Sequence, residues 1–176
     1  VAQFHGCDGL TSLKGLPPLD KLTCNNCNGI KSLQGIPKTL TVMDCSYLLI
    51  TDLRGIPENV TEVNCLNCEK LLSLTGVPEK LKKLKCGRCY RLESLDPLPD
   101  GLEELDCSYC DKLWLTPPRS VHTLICYGCS EYKAPLDLCL IATVKHTFGF
   151  QFPMQFSAIF RTKLQWIHAD KKRMAK

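Results

Sequence analysis

Pairs of cysteines spaced Cys-x-x-Cys recur along this 176-residue sequence and are its residues with the most evident chemistry. Such a pair can hold zinc, carry out thiol–disulfide redox chemistry or fill space in a buried core. Two successive pairs, Cys65/Cys68 and Cys86/Cys89, are separated by 17 residues. That separation is typical of four-cysteine zinc sites, so a zinc-binding function is one hypothesis for the chain.

A regular period gives the same spacing a second explanation. The repeated unit is approximately L-x-x-L-x-C-x-x-C-x-x-L-x-S-L-x-G-I-P-x-x. The first cysteines follow one another at steps of 21, 20, 21, 21 and 19 residues, and they are Cys24, Cys45, Cys65, Cys86, Cys107 and Cys126. The second cysteines are Cys27, Cys68, Cys89, Cys110 and Cys129. A fixed period produces the zinc-like separation between neighbouring units without any metal.

The period favours a structural role for these thiols. Equivalent residues of stacked repeats lie about 4.7–4.9 Å apart, and cysteine is a small, easily buried side chain. We therefore predict that the two cysteine columns form an inward-facing thiol ladder, whose second column donates weakly to loop carbonyls. Disulfides are disfavoured because parallel side chains on adjacent strands are poorly aimed for the bond. This interpretation predicts no metal and no cofactor, and zinc binding is its alternative.

The unit resembles the leucine-rich repeat over roughly residues 1–135. Its short period and G-I-P joint are similar to the shortest class, which is found in bacterial effector proteins, and its paired cysteines are similar to repeats of large DNA viruses that infect amoebae. The resemblance implies a solenoid of about six repeats, with short parallel β-strands on the concave face. The convex side is expected to be irregular or 3-10, because Pro ends each unit before a helix can form.

The resemblance implies non-enzymatic protein–protein recognition or scaffolding, and the concave face is the expected binding surface. The predicted contact residues on that face are Lys21, Thr23, Asp44, Glu62, Asn64, Lys83, Lys85, Glu104, Asp106 and Tyr127, with a rim of Tyr47, Arg88 and Tyr109. Aromatic and Arg side chains of this kind anchor protein interfaces. The alternative is that opposite charges on neighbouring strands only pair with each other.

No catalytic motif is present, and we expect the chain not to be an enzyme. The four histidines form no H-E-x-x-H motif, and the sequence has no glycine-rich phosphate loop. Effector proteins with the short repeat class often carry a ubiquitin-ligase domain with a C-x-D active site. This sequence contains no C-x-D, so the resemblance does not extend to that activity.

Composition indicates a folded protein in a reducing compartment. The sequence is 44% hydrophobic and 23% charged, and it has no apolar run of about 18 residues that could span a membrane. Its 13 cysteines are an odd number at repeat spacing, which is unlike a secreted disulfide scaffold. We therefore expect an intracellular, cytoplasmic location, or one within a virion assembled there.

The C-terminal part, residues 136–176, is expected to cap the solenoid and to form a basic amphipathic helix. Residues 1–144 hold 15 basic and 17 acidic side chains, a net charge of −2, whereas residues 145–176 hold seven basic side chains and one acidic, a net charge of +6. Phe156, Phe160, Leu164 and Ile167 follow helical spacing. The helix could dock on the repeats or anchor the chain to a protein, an anionic membrane or nucleic acid. Together with the viral likeness, this tail favours the alternative of a structural component of a virion or similar assembly.

Overall fold

Eight short parallel strands form one continuous sheet. The computed structural model describes residues 1–114 and 117–129, and also the strand backbone of residues 143–145. The strands follow the chain order, and each pairs with the next. They are β1 (Ala2–Gln3), β2 (Lys21–Thr23), β3 (Val42–Asp44), β4 (Glu62–Asn64), β5 (Lys83–Lys85), β6 (Glu104–Asp106), β7 (Thr123–Ile125) and β8 (Thr143–Lys145). This confirms the predicted solenoid of parallel strands, and the described residues contain no helix.

The register of the sheet sets the length of one lap. Leu22 lies opposite Met43, Met43 opposite Val63, and Val63 opposite Leu84, so a lap takes about 20–21 residues. Each three-residue strand from β2 to β7 has a buried central side chain and two flanking side chains that point away from the core. This alternation is the two-residue period of a strand with one buried face.

Three tight turns return the chain from one strand to the next. In the lap that begins at Cys65, the N–H of Leu71 donates to the carbonyl of Cys68, that of Val77 to Leu74, and that of Leu81 to Pro78, at 2.9, 3.0 and 3.1 Å. Each bond joins residues three apart, as in a single 3-10 turn. Pro78 has no N–H to donate, so the turn that ends at Val77 cannot continue as a longer helix.

The core is a stack of side-chain columns that run through the laps. One column holds the strand centres, two hold the cysteines, and the others hold the Leu, Ile and Val residues of the turns. Leu81, Cys86, Cys89 and Leu92 show this in a single lap, since each is 0% exposed. A single lap has no interior of its own, so burial of these side chains depends on the laps before and after it.

The glycine of the G-I-P joint is required for two reasons. Gly55 has a φ of 104°, a conformation that side chains with a Cβ rarely adopt. A Cβ at this position would also lie 2.6 Å from the carbonyl carbon of Leu33 in the preceding lap. The joint can therefore stack closely on the neighbouring lap only because it has no side chain.

The sheet extends past residue 135, because β8 pairs in parallel with β7 through Leu124 and Val144. The strand adds a further step to the stack beyond the last cysteine pair. Apart from β8, the segment predicted as a cap and basic amphipathic helix, residues 136–176, lies outside the described residues.

Candidate protein-binding face

The predicted contact residues share one surface, the strand side that the sequence analysis predicts as the concave face. We call it the outer face because its side chains point away from the core. It consists of the side chains that flank the buried strand centres, together with those of the turn that follows each strand. Lys21, Glu62 and Lys85 are exposed on it, and Asp44, Lys83 and Glu104 are partly exposed. Thr23, Asn64 and Asp106 occupy equivalent strand positions, and Tyr127 lies in the turn after β7.

Part of the charge on the outer face is paired within the sheet. Lys83 Nζ lies 3.2 Å from Glu104 Oε1 across β5 and β6. The hydrogen bond and the charge of Glu104 raise the pKa of Lys83. This is the cross-strand pairing expected of opposite charges in register, and an exposed pair of this kind contributes little stability. Lys85 and Arg88 form no ion pair among the described residues.

Three of the predicted contact residues accept hydrogen bonds that stabilise the turn after their strand. Asp106 Oδ1 accepts hydrogen bonds from the Ser108 N–H at 3.1 Å and from the Ser108 hydroxyl at 2.7 Å. Asp44 makes the same two bonds with Ser46, and Asn64 Oδ1 accepts one from the Leu66 N–H at 3.2 Å. An Asx side chain that accepts from the residue two positions later is a turn-forming contact. These groups therefore have a structural role besides any role in binding.

The rim residues lie in a backbone conformation that the sequence analysis missed. The second residue between the two cysteine positions is left-handed in all seven laps in which the structure describes this position, with φ between 54° and 65°. The residues in this column are Gly6, Asn26, Tyr47, Asn67, Arg88, Tyr109 and Gly128. Gly and Asn adopt this conformation readily, but Tyr and Arg rarely do. The recurrence of Gly and Asn in four laps was the signal that could have identified the column.

The left-handed conformation of this column allows its N–H groups to form hydrogen bonds with the next lap. Its conformation lets the N–H of Arg88 donate to the Ser108 carbonyl of the next lap at 2.7 Å, and that of Asn67 to the Gly87 carbonyl at 2.8 Å. The bonds between laps thus continue beyond the strand ends. Side chains in the column project next to the outer face, and Tyr47 and Tyr109 are 46% and 41% exposed.

A shallow depression of about 320 Å³ lies on the outer face beside β5, β6 and β7. Its lining residues are Leu66, Arg88, Asp106, Ser108, Tyr109, Ile125 and Tyr127. The Arg88 guanidinium carbon lies 5.4 Å from the centre of the Tyr109 ring, a cation–π contact. Tyr109 packs against the next lap, where a Cβ at Gly128 would lie 2.5 Å from the ring. The depression therefore combines apolar, aromatic and cationic groups.

The second cysteine column donates to the backbone of the preceding lap. The Sγ atoms of Cys68, Cys110 and Cys129 lie 3.2 Å from the carbonyl oxygens of Cys45, Cys86 and Cys107. Cys89 makes the same bond to Cys65 at 3.3 Å, and Cys27 makes it to the Phe4 carbonyl at 3.6 Å. The bonds made by Cys68, Cys89, Cys110 and Cys129 are buried, so each of these thiols satisfies a carbonyl in the core, whereas the bond from Cys27 to Phe4 is partly exposed.

The thiols of the first cysteine column have raised pKa values and stay protonated at neutral pH. Burial raises the pKa of Cys24 and that of Cys126 to about 12. Hydrogen bonding to Cys68, together with burial, raises the pKa of Cys45 well above its usual range. Since the thiolate is the reactive form of cysteine, these groups are poor nucleophiles at neutral pH.

Within residues 1–114 and 117–129, no group of three His, Cys, Asp or Glu side chains is arranged to hold a metal ion. The cysteines of the same segments are all free thiols, and Cys7 alone among them is exposed. In the part of the chain that the structure describes, no helix is long and apolar enough to cross a membrane.

No protein-family model matches the chain, and no curated protein matches it at a significant level.

Proposed function

We propose that this chain is a leucine-rich-repeat module of the short class, which recognises another protein through its outer face and performs no catalysis. The observation that carries the proposal is the composition of that face. Tyr47, Arg88 and Tyr109 are exposed beside a sheet whose neighbouring strands are hydrogen-bonded throughout. Large aromatic and Arg side chains on a rigid support are typical of interface anchors.

The proposal includes a reducing, intracellular location. It is supported by the free thiols of the described residues, including the exposed Cys7. Disulfide-rich secreted domains pair such residues instead.

Affinity capture from source-cell lysate followed by mass spectrometry tests the proposal when two variants are compared. Lys83→Gln/Lys85→Gln removes two charges from the outer face, and Lys70→Gln/Lys112→Gln removes two exposed charges outside it. Gln is preferable to Glu because an acid at position 83 would lie opposite Glu62 and Glu104. We expect the first variant to lose at least about 90% of a captured protein that the second retains. Equal retention by both variants would place the binding surface elsewhere.

A second candidate function is a structural part of a virion or similar assembly. One observation favours it: the apolar residues Ala2, Phe4, Leu10 and Leu16 of the first described lap are only partly buried, although they pack against the core. An adjoining chain could cover them. Presence of the chain at fixed stoichiometry in purified particles would support assembly, whereas a soluble monomer that captures one protein would support recognition.

Zinc binding is a third candidate, and it rests on the Cys-x-x-Cys pairs alone. Metal analysis of the purified, reduced protein decides it. Stoichiometric zinc would overturn the interpretation of the thiols as a ladder.

A further inference from the structure

The depression beside β5, β6 and β7 has the features of a side-chain binding site. Leu66, Ile125 and the rings of Tyr109 and Tyr127 provide apolar and aromatic lining. Gly87 lies between the laps of Leu66 and Ser108, and a Cβ there would meet the Leu66 side chain at 3.1 Å. The volume of about 320 Å³ is at the lower end of the range for ligand pockets. It suits one large side chain of a partner and its neighbours.

The backbone gives an independent reason to assign function to this place. Arg88 and Tyr109 occupy left-handed positions, at φ of 58° and 59°, that Gly6 and Gly128 fill in other laps. Either glycine or asparagine satisfies the fold at this column. Strained residues that the fold does not need are found preferentially at binding and catalytic sites. Both residues line the depression, so two of the three large side chains in this column coincide with it, and Tyr47 is the third.

The charges indicate which partner the site suits. Arg88 and Lys85 have no ion pair among the described residues, whereas the neighbouring Lys83 is neutralised by Glu104. Lys85 lies opposite Asp106 in the register of β5 and β6. Asp106 is the one acid of the lining, and its Oδ1 is engaged by Ser108. The two cations and this acid leave a net positive charge beside an apolar floor.

We propose that the depression binds an acidic peptide segment of the partner, with an aromatic side chain inserted among Leu66, Tyr109 and Tyr127 and with carboxylates paired to Arg88 and Lys85. This proposal rests on the proposed function of protein recognition and specifies the chemistry of the partner. An Arg that stacks on a Tyr ring is held in place to pair with a carboxylate and loses less freedom on binding.

Fluorescence anisotropy with defined peptides and the full chain tests this chemistry. The probe is fluorescein-Gly-Glu-Glu-Phe-Glu-Glu. One comparison peptide replaces every Glu by Gln, and another replaces Phe by Ala. We expect the probe to bind with a Kd below about 1 mM, and each comparison peptide to bind at least about tenfold more weakly. No binding of the probe at about 1 mM, or equal binding of either comparison peptide, would overturn the proposal.

Two variants locate the binding on the protein. Arg88→Gly is compatible with the left-handed backbone and should weaken probe binding at least about tenfold. Asn26→Gly makes the same kind of change in the same column but outside the depression, at a residue with no predicted part in binding, and it should leave the Kd within about twofold. Equal effects of the two variants would exclude the depression as the site. If the peptide fails while Lys83→Gln/Lys85→Gln still releases a captured protein, the proposed function stands and the acidic partner is wrong.

Discussion

At the scale of single residues, the cysteines fill space in the core, and those of the second column also donate hydrogen bonds to the backbone. In the second column the thiol donates to the carbonyl of the preceding lap, as Cys110 does to Cys86. In the first column the thiols are buried and strongly protonated. A side chain of this size fills its place in the stack and still satisfies a buried carbonyl, which an aliphatic side chain could not do.

The raised pKa of two thiols predicts that stability falls at alkaline pH. Cys24 and Cys126 have a pKa of about 12 in the fold, against 9.0 when unperturbed. The unfolded chain therefore loses these protons first, so their contribution is complete below pH 9 and is lost as pH rises toward 12. Each thiol should cost about 1 kcal/mol of unfolding free energy per pH unit in that range.

Urea unfolding at pH 8, 9, 10 and 11 measures this slope. The matched variant Cys24→Ala should have a shallower slope, by about 1 kcal/mol per pH unit, because tyrosines and lysines titrate equally in both proteins. Parallel slopes for the two proteins would show that Cys24 is not buried as a neutral thiol.

At the scale of elements, the sequence was sufficient to predict the strands, because one period repeats the same buried residues. The strand centres, the cysteine columns and the Pro-limited turns follow from a single aligned unit. The left-handed column was not predicted because only four laps have Gly or Asn at this position. The other three have Tyr47, Arg88 and Tyr109, which rarely adopt a positive φ. Strand β8 was missed because its lap carries no cysteine pair, and three residues alone give too weak a pattern. The depression depends on how three laps pack together, which no single unit encodes.

Two glycines at the joint position allow two causes of destabilisation to be measured separately. One is the positive φ of the backbone, and the other is the steric clash of an added Cβ. Gly15 and Gly55 both have positive φ, but a Cβ at Gly15 would meet nothing within 4 Å. We expect Gly15→Ala to lower the unfolding free energy by about 1 kcal/mol, from conformation alone. Gly55→Ala should lower it by about 3 kcal/mol, since its Cβ must also displace the backbone of Leu33. Chemical denaturation measures both values, and equal losses would contradict the close stacking of the joint.

At the scale of the whole molecule, the fold is a one-dimensional stack. The strand-to-strand contacts that dominate it join consecutive strands, from β1–β2 to β7–β8. Stability in such a protein is approximately the sum of lap terms and nearest-neighbour terms. Laps of equal length and pattern should therefore be exchangeable or removable as units.

Excision of residues 66–86 tests this expectation, because it joins Cys65 to Gly87 and restores a complete lap. The shortened chain should unfold cooperatively in urea, with an m-value reduced by roughly 15% because less surface becomes exposed. As a control, excision of residues 66–76 removes about half a lap and disrupts the register, so it should abolish the cooperative transition. Failure of the first chain to fold would show that the laps are not equivalent.

The uniform strand direction has a consequence for self-association. Every strand from β1 to β8 runs the same way, so the two edges of each lap present different backbone groups to its neighbours. A copy that continues the sheet with parallel strands must therefore join head to tail, and each such contact leaves a new end open. Growth of this kind has no built-in stop and yields a polar filament, whereas antiparallel pairing of two like edges would close a two-fold pair.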